Sequence, residues 1–227
     1  ELGRQVAREI ENNPGKYPLL PVQGNEEIYT YVEEIVQRIL SSGEVSYREE
    51  FVWQVRIIDD DEQVNAFAAP GGFIYVYTGL MKFLEAEDQF AGVLGHEIAH
   101  AALRHATEQM SKIYGVSALV SIVTGEGETD LLEDIALNLL SLQFSRANER
   151  EADEFSVIYL CKTDYNADAS ADFFRKTEDQ PQPPTFLSTH PSPENRIQHI
   201  VEKAQSFDCG AGEEFEDRYR RMLQLLD

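Results

Sequence analysis

GVLGHEIAHAALRH, residues 92–105, holds the pentapeptide HEIAH at positions 96–100. On a helix each residue turns by about 100°, so positions four apart return to within about 40° of one face. His96 and His100 therefore project together and can offer imidazole nitrogens to one ion. Glu97 sits one step round, near enough to touch a water on that ion without being a ligand. Imidazole suits zinc, and a catalytic zinc takes three protein ligands and keeps a fourth position open. By itself the pentapeptide can arise by chance on an amphipathic helix, so a third ligand has to be found.

Three other histidines are available. His105 lies five residues past His100, about 140° round a continuous helix, and is expected to face elsewhere as a helix-end polar group. His199, among Ile197, Ile200 and Val201, reads as a half-buried helix residue. His190 lies in a proline-rich stretch, where Pro191 and Pro193 stiffen the backbone so that its ring can be aimed without a long regular element. The stronger candidate is Glu149 in NEREAD, because Glu149 and Asp153 are again four apart on a predicted helix. One carboxylate can bind the metal while the other orients a ligand imidazole. Alone, the pair would read as a charged helix face served by Arg146 and Arg150. Beside HEIAH, it reads as the rest of a metal site.

Outward from the motif, Phe51, Trp53, Val55 and Ile57 alternate with more polar neighbours, and two more short strand patterns cover residues 64–68 and 73–78 around Pro70-Gly71-Gly72. This predicts a small antiparallel sheet before the motif. Ile28, Val32, Ile35, Val36 and Ile39 recur at helical spacing after Asn25 as N-cap. From Glu85 onward the pattern is mainly helical, with helices over about 107–123, 131–144, through NEREADEF, and over about 194–204 and 213–226. Prolines at 181, 183, 184, 191 and 193 exclude one helix between them. The expected class is α+β and mostly helical, as one domain over residues 1–227.

The composition narrows the function. The chain has 41 acidic against 19 basic residues, a net charge of −22, which argues against nucleic acid or an anionic membrane as partner. No apolar run approaches the roughly 20 residues of a membrane span; the most apolar stretch, 116–123, is broken by Ser117 and Ser121. Cys161 and Cys209 lack metal-binding spacing and are either two thiols or one disulfide.

HEIAH, then SRANEREAD, then STHPSPENRI, together with VNAFAAPGGFIYVYTGL, resembles the HtpX, CAAX prenyl endopeptidase and BepA superfamily of gluzincin zinc metallopeptidases. The resemblance implies a zincin-like fold and one Zn2+ held by His96, His100 and Glu149. It implies Glu97 as the base, Asp153 behind a ligand histidine, and His190 and Arg196 as catalytic helpers. It also implies that extended substrate lies along an edge strand at Asn65, Ala66, Phe67 and Ala68. A zinc-dependent endopeptidase acting on extended or unfolded polypeptides follows, with a chaperone-like polypeptide binder of latent activity as the alternative. Without membrane helices the chain falls in the envelope-located branch, which points to the bacterial periplasm, with the cytoplasm as the other location. From the chemistry alone, His190 could instead fill zinc's fourth position and leave the enzyme latent.

Overall fold

The computed structural model describes residues 1–227 apart from 128, 140, 179, 193 and 227, and leaves out the side chain of Thr129. Two helices, α1 (Leu2–Glu11) and α2 (Glu26–Leu40), precede a sheet of β1 (Gln54–Ile58), β2 (Ala66–Ala69) and β3 (Phe73–Tyr77). The sheet is mixed, in the order β1-β3-β2: β2 pairs antiparallel with β3, whereas β1 pairs parallel with it. The expected all-antiparallel pairing therefore holds for one ladder. The reason lies in the connections. Gly71 and Gly72, with φ of 85° and 87°, turn β2 tightly into β3. The acidic segment after β1 carries the chain past β3 to its far side. β1 also starts later than its alternating pattern suggests, because Trp53 sits at φ 47°, outside any extended conformation.

Both faces of the sheet are covered. Ile74 and Val76 of β3 point into a core with Val32, Val36, Leu94 and Ile98, while Phe73, Tyr75 and Tyr77 point into a second one with Val6, Ile10, Met110 and Ile135. The period of two in a strand makes this division. Helix α1 is not expected from the sequence reading, although Val6, Ala7 and Ile10 are buried at helical spacing.

After α3 (Thr78–Phe83) comes α4 (Glu87–Ala102), which carries HEIAH and is buried at every residue except Gln89. A helix buried on every side belongs in the middle of a fold. Its N-terminus is tied down by Glu87, a buried carboxylate that accepts hydrogen bonds from Tyr31, Tyr165 and Arg218. At Leu103 the helix stops, since Arg104 takes a left-handed conformation with φ 63°. Helices α5 (His105–Tyr114) and α6 (Val116–Thr124) follow. The single helix expected over 107–123 is thus two, divided at Gly115 with φ 82°. The apolar run beyond it buries Leu119 and Ile122 but leaves Val120, Val123 and Val116, the last 66% exposed, on the surface. Next is α7 (Thr129–Leu139), which ends short of the expected Phe144.

Helix α8 (Arg146–Leu160), bearing NEREAD, packs directly on α4. The approach is close because Gly92 and Gly95 present no side chain: a Cβ at 95 would lie 2.8 Å from Ser156 Oγ, which instead donates to Gly92 O at 3.0 Å. Then come α9 (Ser170–Glu178), the short α10 (Phe186–Thr189), α11 (Arg196–Ser206) and α12 (Glu216–Leu223). Cys161 and Cys209 form a disulfide, their Cα atoms 5.1 Å apart, linking the end of α8 to the segment after α11. Among the described residues, no helix is long and apolar enough to cross a membrane.

Candidate metal centre

Helical spacing does what the sequence suggests in α4: His96 Nε2 and His100 Nε2 face each other 3.0 Å apart. Helix α8 starts at a capping box of Ser145 and Asn148, which sets its register so that Glu149 faces α4 from the first turn. Glu149 Oε2 is 3.5 Å from His96 Nε2, and Oε1 is 3.3 Å from His100 Nε2. A fourth donor arrives from the end of α10: His190 Nδ1 is 3.4 Å from His96 Nε2 and 3.1 Å from Glu149 Oε1. All four residues are buried.

Those separations test whether a metal fits. Donors at about 2.0–2.1 Å from a tetrahedral zinc are about 3.3–3.4 Å from one another. With Glu149 Oε1 as the carboxylate donor, four of the six donor pairs measure 3.0–3.4 Å, and one donor atom from each residue can be chosen so that all lie within 4.8 Å of one another. Imidazole nitrogens turned toward one another and toward a carboxylate need a cation or shared protons between them. The residues fit one zinc ion.

The surroundings hold this set in place. Asp153 Oδ1 lies 2.9 Å from His96 Nδ1, the ring nitrogen facing away from the other donors. Arg196, at the start of α11, grips Asp153 with two donors at 2.8 and 2.7 Å and reaches Glu149 Oε2 at 3.0 Å. Its guanidinium stacks 3.9 Å above the Phe174 ring. Burial lowers the His96 imidazole, but the Asp153 and Glu149 carboxylates outweigh burial and hold it up at about 9. Burial likewise raises Glu149, yet His190, His100 and His96 overcome it and keep this carboxyl well below its usual range. His100 has no such surplus, and burial keeps its ring neutral.

Glu97 is fully buried and neither carboxylate oxygen has a hydrogen-bond partner among the described residues; the nearest base, His190 Nε2, is 3.5 Å away. Burial pushes its carboxyl above the ordinary value. An unpartnered carboxylate beside a four-donor cage is poised to exchange a proton rather than to bind metal.

A model of peptidase family M48 matches residues 28–204 of the chain. The chain belongs to peptidase family M48. This M48 domain is 28% identical over 221 residues to a putative beta-barrel assembly-enhancing protease of Vibrio cholerae, covering 90% of this chain and 44% of that protein. It is 30% identical over 192 residues to the mitochondrial metalloendopeptidase OMA1 of Schizosaccharomyces pombe, covering 79% and 56%. With the beta-barrel assembly-enhancing protease of Escherichia coli K12 it shares 28% over 245 residues, covering 100% and 48%. The chain spans about half the length of these curated relatives. The family bears out the resemblance drawn from the motifs, and with it a zinc-dependent metallopeptidase domain.

Ala66, Phe67 and Ala68 lie on β2, which pairs on one side only, and Asn65 immediately precedes that strand; all four are buried. Pro191 follows His190 as expected of a stiffened loop, whereas Pro193 lies outside the described residues. His199 is half-buried on α11 and meets Glu154 at 3.0 Å. His105 is the departure. Instead of facing elsewhere, its Nδ1 lies 3.0 Å from His100 Nδ1, and its Nε2 lies 3.3 Å from Glu151. The break at Arg104 turns the chain back, so the 140° reckoned for a continuous helix does not apply.

Proposed function

We propose that this M48 domain is a zinc-dependent endopeptidase that cuts extended or unfolded polypeptides and rests in a latent state with His190 at the metal. The observation that carries the reading is the buried cage of His96, His100, Glu149 and His190 beside an unpartnered Glu97. In this reading His96, His100 and Glu149 are the standing ligands. Bound zinc supplies Lewis acidity, which polarises a peptide carbonyl and acidifies water. Glu97 takes the proton from the attacking water on a carboxylate oxygen and returns it to the leaving amine; its raised proton affinity suits both halves. Asp153 keeps His96 turned to the metal, and Arg196 fixes Asp153 and Glu149 at once.

His190 could serve as a fourth ligand or as a donor to the oxyanion. Its Nδ1, as close to His96 Nε2 and Glu149 Oε1 as those ligands are to one another, favours the ligand role in this arrangement. The ring is stacked on Phe186, with centroids 4.2 Å apart and planes 15° from parallel. Phe186 N also donates to Val64 O, just ahead of β2. Displacing the 186–190 segment would therefore free the fourth donor position and open an approach to Asn65, Ala66, Phe67 and Ala68 together. An extended peptide can then pair with the edge strand through its main chain, which leaves side-chain selection broad.

The disulfide supports an oxidising compartment. With the similarity to beta-barrel assembly-enhancing proteases, it favours the bacterial envelope. The acidic charge is unfavourable for nucleic acid, and residues 1–227 are read as one metallopeptidase domain. The test is Glu97→Gln, assayed on a denatured protein substrate with zinc content measured in parallel. Zinc should stay near one per chain while cleavage falls by about 10²-fold or more. Cleavage at the wild-type rate would remove Glu97 from the mechanism.

A further inference from the structure

We infer that His105 and Glu151 form a hydrogen-bonded chain behind His100 that fixes the tautomer and aim of this ligand, making His105 a positioning residue of the metal centre. The inference rests on the zinc reading of the site and concerns residues that the four-donor cage does not contain.

The two ligand histidines need the same service. If Nε2 is the atom that faces the metal, the proton must sit on Nδ1 and find an acceptor. For His96 the acceptor is the Asp153 carboxylate. Around His100 Nδ1 the structure puts a third imidazole, His105 Nδ1, at 3.0 Å. Two ring nitrogens at that distance hydrogen-bond only if one carries a proton and the other does not. With His100 protonated at Nδ1, His105 must accept there and hold its own proton on Nε2. That proton points at Glu151 Oε2, 3.3 Å away. The assignment of protons is thus consistent from the metal-facing nitrogen outward: His100 donates to His105, which donates to Glu151.

The backbone gives independent support. His105 reaches this position only because Arg104, a residue with a Cβ, holds φ 63° and ends α4. A non-glycine residue in the left-handed region costs on the order of 1 kcal/mol, and such outliers are kept where the geometry they create is used. His105 is also 4% exposed, with one nitrogen satisfied by the half-exposed Glu151. A histidine present only to begin α5 would have no need of a second partner inside the protein.

The experiment measures zinc dissociation constants of the full chain by chelator competition, together with cobalt(II) absorption spectra, for wild type, His100→Ala, His105→Phe, His105→Asn and Glu151→Ala. Phenylalanine keeps the ring and removes the acceptor, so zinc should bind about 10- to 100-fold more weakly, with a shifted cobalt band. Asparagine places Oδ1 near the position of Nδ1 and should recover most of that loss. Glu151→Ala should weaken zinc by a few-fold. His105→Phe binding zinc within about twofold of wild type would overturn the inference, as would His105→Asn being no better than His105→Phe. Should His105→Phe fail to fold, Glu151→Ala decides: zinc affinity and a cobalt band unchanged from wild type there overturn it. His100→Ala separates the two levels. Loss of tight zinc there with unchanged His105 variants removes the chain but keeps the site, whereas tight zinc in His100→Ala removes the site reading itself.

Discussion

Replacing His190 with alanine separates a plug from a catalytic donor, and the structure sets the size of the effect. The ring stacks on Phe186, which contributes about 0.5–1.5 kcal/mol. Its Nδ1 contact with the metal, counted at the level of a hydrogen bond to a charged group, adds about 1.5–3 kcal/mol. Ordering the loop opposes these gains, leaving about 1.5–3 kcal/mol in favour of the closed arrangement. The open, competent fraction is then about one part in 10 to one in 100, and apparent substrate affinity falls by the same factor. His190→Ala should therefore raise kcat/KM on an unfolded, fluorescently quenched protein by about 10- to 100-fold, while zinc binds more weakly for want of a donor. Slower cleavage at unchanged zinc affinity would refute the plug and establish the oxyanion-donor role. Wild-type values for both would place His190 outside the site.

The disulfide closes a loop of sequence separation 48, so the Cys161→Ser, Cys209→Ser double variant should lose about 3–4 kcal/mol in denaturant unfolding. Gly92→Ala sets a Cβ 2.6 Å from Ser170 N, a backbone atom that cannot swing away; a loss of about 1–3 kcal/mol and weaker zinc binding are expected. Burial raises the Asp88 carboxyl to about 6, above its unfolded value, so the folded state holds the extra proton and acidification through that range favours folding. The stability of wild type relative to Asp88→Asn should rise by about 1–2 kcal/mol between about pH 7 and pH 4; a flat difference would contradict the shift.

What the chain reveals by itself depends on the range of each signal. Spacing along one unbroken helix carries reliable angles, so the pairing of His96 with His100 and of Glu149 with Asp153 is legible in the sequence alone. That Glu149 meets the α4 pair takes two motifs together, because neither helix announces its partner. His105 escapes the same arithmetic for the complementary reason: one left-handed residue, Arg104, voids the angles, and an arginine gives no warning of it. Alternation finds the strands but not their pairing, since β1 looks the same whichever direction its neighbour runs. The break at Gly115 is visible as a glycine in an apolar run. The Cys161–Cys209 bond spans α9, α10 and α11, a distance across which sequence carries no geometry.

The placement of that bond also changes what a broken chain looks like. Residues 161–209 form a closed ring that includes α9, the proline-rich stretch, His190 and Arg196. Residues 180–183 of the ring are exposed, without helix or strand, and offer protein-cutting enzymes an accessible target. A single cut there leaves one covalent molecule, its two pieces still joined through Cys161 and Cys209. It runs at full mass on a non-reducing gel and separates into two fragments only when a thiol is added. Clipped and unclipped preparations of this domain are therefore to be told apart under reducing conditions, before any difference in their rates is attributed to sequence.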